Sequence, residues 1–348
     1  MARHVSHPCI YLLAKEELVF CFSPFRCNFL CWYRAASPTN EQLDQDIQLL
    51  KEGGTNFVRG AHYPQDPRWL DRMDENGMIV WSETLGPGVS MKDVQNATFL
   101  KYQAQQIEEM IDNAMNHPSI AFWGFFNEGP SRNAEACSAY HASSDTIKER
   151  DSTRLVTYAS DAKRSDKCFA VADVVSINSY PGWYFTTDPS KYWSDLASDI
   201  KAGIILPETL GKPFLISETG AAGIYEWSHN TTASLWTLEY QKQVLIQDVD
   251  VAIANPNISG ISLWHFFDFK ADDQWENNTH CDYIPEVYPP TCQYISVNST
   301  LASGRPGGKN HKGSLDFWRR TKPGFYAVAE RYNATKHHLP RNVSVSES

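Results

Sequence analysis

From residue 37 onward, short apolar runs alternate with longer amphipathic stretches, and this rhythm narrows the chain to one fold class. The runs occupy 56–59, 78–81, 120–126, 154–158, 174–177, 213–217 and 260–266. Each is too short for a helix and apolar enough for burial on both faces, as in a parallel sheet. Helical punctuation lies between them. Ser37-Pro38 reads as an N-cap and first helical residue, with Leu43, Ile47 and Leu50 on one face and Gly53-Gly54 as the stop. Asp66-Pro67 opens a second helix and Gly77 closes it. A third spans 98–116 and stops at His117-Pro118, and the longest lies near 231–254.

Strand–helix alternation over this length makes a parallel α/β fold. A (β/α)8 TIM barrel requires eight strands, and seven are visible. The first is expected upstream of Ser37, where residues 1–36 are Cys-rich and fit a strand poorly. An open doubly wound sheet is the alternative, but no Gly-x-Gly-x-x-Gly follows a strand and no Walker loop occurs. The organisation adopted is an atypical N-terminal segment over 1–36, a barrel over 37–335 with an atypical or incomplete first strand, and a tail over 336–348. Residues 271–309, rich in Asn, Pro and Gly, form a loop insertion after the last strand.

Lys plus Arg number 31 against 41 Asp plus Glu, a net charge of −10 without a basic run, so nucleic acid and anionic membranes are poor partners. No stretch of about 18 uncharged apolar residues could span a bilayer. The sequence leaves the oligomeric state open. None of the eight cysteines stands in a Cys-x-x-Cys pair, so no zinc or redox motif emerges, and neither a metal nor another cofactor is expected. Seven Asn-x-Ser/Thr sequons, at Asn96, Asn230, Asn257, Asn277, Asn298, Asn333 and Asn342, point to a secreted, extracellular glycoprotein. No conventional signal peptide is visible, because the apolar stretch near 9–14 runs into Lys15, Glu16 and Glu17. Cys281 and Cys292, in a sequon-bearing loop, are the expected disulfide.

In a barrel the chemistry sits where strands end. The run at 120–126 leads into Asn127-Glu128 and the run at 213–217 into Glu218-Thr219-Gly220. Two carboxyls on one rim are the minimum for glycoside hydrolysis: one protonated to give a proton, the other ionised to attack or to activate water. Repulsion and partial burial would push their pKa values apart. The residues alone leave a second reading open, loop carboxylates held in salt bridges. Around the same rim stand Arg59, His62, Tyr63, Glu83, Asn178, Tyr180, Trp183, Tyr184 and Trp264, a mixture of amide, imidazole, phenol and indole that suits sugar hydroxyls and sugar C–H faces. Trp123 and Phe266 read as core aromatics.

Together, Arg59-Gly60-Ala61-His62-Tyr63-Pro64, Asn127-Glu128, Ile216-Ser217-Glu218-Thr219-Gly220 and Leu263-Trp264-His265-Phe266 resemble glycoside hydrolase family 2, over about residues 37–333. The resemblance implies a retaining exo-β-glycosidase with Glu128 as acid/base and Glu218 as nucleophile. It also implies that Asn127 bonds the sugar 2-hydroxyl and that Tyr180 lies beside the nucleophile. Asn178-Ser179-Tyr180-Pro181-Gly182-Trp183-Tyr184 is similar to the corresponding loop of the family's β-glucuronidases. The segment from Gly308 to Gly313 is similar to their Asn-x-Lys element, which implies that Asn310 and Lys312 grip a uronate carboxylate. Arg59, His62, Asn178, Tyr184 and Trp264 complete the expected substrate contacts. A β-galactosidase of the same family, or an inactive carbohydrate-binding relic, are the alternatives. Family members carry a jelly roll and a sandwich before the barrel, and residues 1–36 resemble neither. His265 stands where Asn is common, and Gly129 where Pro is common.

Overall fold

The structure is a computed structural model that describes residues 19–22, 38–84, 86–228, 233–271 and 309–335. Its strands are β1 (Val19–Phe22), β2 (Phe57–Gly60), β3 (Ile79–Glu83), β4 (Ile120–Gly124), β5 (Leu155–Thr157), β6 (Ala159–Ser160), β7 (Val175–Asn178), β8 (Phe214–Thr219) and β9 (Gly260–Leu263). All pair in parallel, in the order β5-β4-β3-β2-β1-β9-β8-β7-β6. The two outermost strands are consecutive pieces of one segment, parted only by Tyr158. One half pairs with β4 and the other with β7, so the sheet returns on itself as eight staves. The missing first stave is β1, which lies between β9 and β2.

Helices cover the outside: α1 (Asn40–Glu52), α2 (Pro67–Glu75), the short α3 (Met91–Val94), α4 (Ala97–Ala114), α5 (Cys137–Arg150), α6 (Pro189–Lys201), α7 (Leu238–Ala254) and α8 (Pro323–Thr335). Helix α1 starts later than expected. Its N-cap is Thr39, which forms a capping box with Gln42, so Ser37-Pro38 does not begin it. Leu43, Ile47 and Leu50 face the core as their spacing requires. Asp66 caps α2 with Pro67 in the first turn, and Gly77 terminates it with φ +63°. Helix α7 begins at Leu238 behind the cap Thr237, seven residues after Thr231, because Thr237 supplies the side-chain acceptor a start requires.

The barrel interior is closed below the site by Phe57, Trp81, Phe122, Ala159, Val174 and Leu215. Trp123 and Phe266 are buried core aromatics, as read from the sequence. The insertion over 271–309 leaves and returns through an antiparallel pair, β10 (Phe269–Lys270) and β11 (Lys309–Asn310). Residues 272–308 and the 336–348 tail lie outside the described residues, and so do Cys281 and Cys292. The disulfide within the described residues is Cys137–Cys168, whose partners are 31 positions apart in sequence. It ties the start of α5 to the loop after β6. Replacing both with Ser frees a loop of that length in the unfolded chain, which costs about 2–4 kcal/mol of stability. Urea unfolding of the double variant against the parent checks this, and an unchanged midpoint would show that the cross-link contributes nothing.

Candidate active site

The site grows from Arg59, the third residue of β2, which points inward above Trp81 and is fully buried. Its guanidinium donates to both Glu83 oxygens at 3.0 Å, to Glu218 Oε1 at 2.7 Å and to Asn127 Oδ1 at 2.8 Å. Burial works against its charge, but the Glu83 and Glu218 carboxylates outweigh this and raise its pKa. Burial likewise opposes ionisation of Glu83, and Arg59 and His62 more than compensate, holding that carboxyl below its usual range. Arg59, expected among the substrate contacts, does not line the cavity. It lies beneath the cavity lining and fixes three groups that are on it or near it.

Glu218 is delivered by a register irregularity of β8 between Ile216 and Thr219, where a bulge turns its side chain toward the mouth. It is 4% exposed. Oε1 takes the Arg59 bond, and Oε2 accepts the Tyr180 hydroxyl at 2.6 Å. Burial and then the Glu218 charge hold the Tyr180 phenol far above its usual pKa, so it stays a donor. The next residue anchors the strand: Thr219 Oγ1 donates to Asp248 on α7, which also takes the Trp193 indole N–H.

Glu128 has a different environment. Phe126 and Glu128 have φ values of +47° and +51°, a left-handed turn that costs about 1 kcal/mol or more for such residues. This turn lifts Glu128 out of the strand so that its carboxyl opens into the cavity, while Asn127 between them is buried. Crowding by protein pushes Glu128 up to about 7, and the Glu218 charge adds to the rise. Gly129 is required by what lies behind it. A Cβ there would stand 2.5 Å from the buried Tyr140 hydroxyl, which leaves no room for the Pro common at this position.

Asn178 joins the two glutamates. Its amide donates to Glu128 Oε1 at 3.0 Å and to Asn127 Oδ1 at 3.0 Å, and its oxygen accepts from Ser217. Asn127 Oδ1 thus accepts twice, from Arg59 and Asn178, so its NH2 is left to meet the cavity. His62 binds Glu83 through Nδ1 at 2.9 Å, lies 3.8 Å from Glu218 through Nε2, and stacks on Trp264 at 4.9 Å.

Opposite these groups stands Lys312. It is 2% exposed, donates to the Tyr184 hydroxyl at 3.0 Å, and lies 4.9–5.5 Å from the ring centres of Tyr180, Trp183 and Tyr184. Its loop is pinned from below. Asp268 accepts from Gly313 N at 2.8 Å and from the fully buried Lys322 at 2.7 Å. Asn310 Oδ1 accepts from Lys312 N at 3.2 Å. His265 is buried, which drops its pKa to about 3, and its neutral ring contacts the Phe267 carbonyl at 2.8 Å.

These residues surround a cavity of about 660 Å³, with His62, Asn127, Glu128, Asn178, Tyr180, Tyr184, Glu218, Trp264, Asn310 and Lys312 in its wall. Of the expected site residues only Arg59 is absent from the lining. The sequence reading missed Arg132, Asp161, Lys163 and Phe185, which line one side. The signal available for two of them was an Asp and a Lys just past the strand-end Ser160. Chemically, the cavity offers one carboxyl group held by Arg59 and Tyr180, one carboxyl poised to carry a proton, and an ammonium in an aromatic recess.

Comparison with known proteins agrees with this geometry. Residues 35–281 match the family model described as glycosyl hydrolases family 2, TIM barrel domain. A β-glucuronidase of Bacteroides fragilis is 31% identical over 246 residues, which covers 68% of this chain and 34% of the relative. The human β-glucuronidase is 28% identical over 236 residues, 66% of this chain and 35% of the relative. The chain thus spans about a third of the length of these relatives. Among solved structures, the β-galacturonidase of Eisenbergiella tayi bound to galacturonate superposes with a TM-score of 0.75 at 31% identity, over 90% of this chain and 50% of that one. With the match covering most of its barrel, this chain belongs to glycoside hydrolase family 2.

Proposed function

We propose that this chain is the catalytic barrel of a retaining exo-β-glycosidase that releases a terminal β-linked hexuronate, with β-glucuronides as its substrates. The observation that carries this reading is the opposite electrostatics of two carboxyls in one cavity. Glu218 is held by a guanidinium and a phenol, and Glu128 is pushed toward its acid form. Glu218 attacks the anomeric carbon as Glu128 gives its proton to the departing oxygen, which leaves a glycosyl ester on Glu218 and a carboxylate at Glu128. That carboxylate then takes a proton from water, the hydroxide oxygen adds to the anomeric carbon, and the ester bond breaks. The Asn127 NH2 donates to the sugar 2-hydroxyl, and Trp264 supplies a flat apolar wall.

Lys312 selects the uronate. A hexuronate presents a carboxylate where a galactoside presents a hydroxymethyl, and only the former supplies a counter-charge in this desolvated recess. Glucuronide and galacturonide both present that carboxylate and differ at C4. A panel of 4-nitrophenyl β-glycosides tests the reading. The glucuronide should be turned over best, and Lys312→Ala should lower its kcat/KM about a hundredfold while sparing the galactoside. A parent that prefers the galactoside, or a variant that loses both equally, would overturn the uronate assignment. A glycosylated, extracellular protein is part of the same proposal. The Cys137–Cys168 bridge supports it, as do the exposed sequon residues Asn96 and Asn333.

A further inference from the structure

One wall of the cavity carries charge that the proposed chemistry does not use. It is built by the loops after β4 and β6 from Arg132, Asp161 and Lys163. Arg132 donates to the Asp161 carbonyl at 2.8 Å and to its Oδ2 at 3.1 Å. Asp161 Oδ1 is buried without a hydrogen-bond partner among the described residues. Lys163 is half-buried, its Nζ lies 4.9 Å over the Phe185 ring, and among the described residues no hydrogen bond or ion pair reaches that Nζ. Its φ is +56°, so the backbone accepts strain to present this side chain. Burial lowers its pKa, against the pull of Asp161. An ammonium in this state gains from an anion, and among the described residues none is ion-paired to it.

The wall is also rigid. Asp166 accepts from the Tyr158 hydroxyl, the Ser160 hydroxyl and Cys168 N, and Lys167 N donates to the Ser131 carbonyl. The Cys137–Cys168 bridge then clamps the Lys163 loop to the end of the Arg132 loop. Its position relative to the reacting bond follows from Glu128, which lines the same cavity as Lys163 and Asp161. The group that protonates the leaving oxygen stands on the leaving-group side. A cavity of about 660 Å³ has room for a second ring there.

We propose that Lys163 and Arg132 form a leaving-group subsite for an aglycone ring bearing an anionic substituent, a carboxylate or a sulfate, with Lys163 pairing the anion and Asp161 accepting from a hydroxyl of the same ring. Two cations against one carboxylate give this wall the required sign. The inference rests on the β-uronidase reading above and deepens it.

Three aryl β-glucuronides matched in leaving-group acidity test it on the whole chain: one neutral, one carboxylated and one sulfated on the aglycone ring. The parent should favour the anionic pair by roughly tenfold in kcat/KM at low ionic strength, and salt should erode the preference. Lys163→Asn should cut the preference to about twofold or less, and Asn keeps the loop because it tolerates positive φ. Arg132→Gln, at an exposed position, should reduce it in part. The anion with the larger gain identifies the natural substituent. A parent without preference, or a Lys163→Asn variant that loses neutral and anionic substrates equally, overturns the subsite and leaves the hydrolase intact. No turnover of the neutral glucuronide overturns the hydrolase reading, and the subsite falls with it.

Discussion

Glu218→Ala should lower kcat/KM on an activated aryl β-glucuronide by roughly four to six orders of magnitude, the scale seen when a covalent nucleophile is removed. Among the described residues, neither Glu83 nor Asp161 is placed to stand in for it: Asp161 lines the cavity but is held by Arg132. Glu83 is 2% exposed, is held by Arg59 and His62, and does not line the cavity, whereas Glu128 is the proposed acid partner. Folding should survive, since the substitution leaves Arg59 paired with Glu83 through two bonds. A 2-deoxy-2-fluoro-glucuronosyl fluoride supplies the direct measurement. The electronegative fluorine slows the second displacement more than attack by an activated substrate, so the ester accumulates. Peptide mass analysis should find the label on Glu218, and a label on any other residue removes it from the role.

How much of this was legible in the sequence depends on whether the signal was local. The two glutamates were visible because each follows a continuous apolar run, so strand and strand end could be read together. The seven later staves were visible for the same reason. The first stave, Val19–Phe22, was not, because a four-residue strand inside a Cys-rich stretch has no helix signals on either side to bound it. Arg59 was identified as a site residue but placed on the wrong layer. Strand position alone does not tell whether a long side chain points down into the barrel or out through its mouth. The Cys137–Cys168 pair was missed since only the folded path of α5 and the next stave brings residues so far apart in sequence together. Lys163 was missed because its significance lies in a strained turn and in an ammonium that no ion pair holds among the described residues, neither of which composition can encode.

The second large effect concerns Glu128, and it separates by leaving group. Glu128→Ala should lower kcat/KM by roughly two to four orders of magnitude on an alkyl glucuronide, whose departing oxygen requires a proton, and by far less on a dinitrophenyl glucuronide, which leaves unaided. Turnover of the activated substrate still falls, because the second step has lost its base and the ester accumulates. Azide, which attacks without deprotonation, should restore that turnover and give the β-azide. The pH profile must agree. Burial and the Glu218 charge raise the Glu128 pKa to about 7, so its acid form is present below that value and lost above it. The parent's kcat/KM on poor leaving groups should therefore fall as pH rises through about 7, and the variant should lack this limb. An equal loss on alkyl and activated aryl glucuronides, or an alkaline limb that persists in the variant, would assign the proton to a different residue.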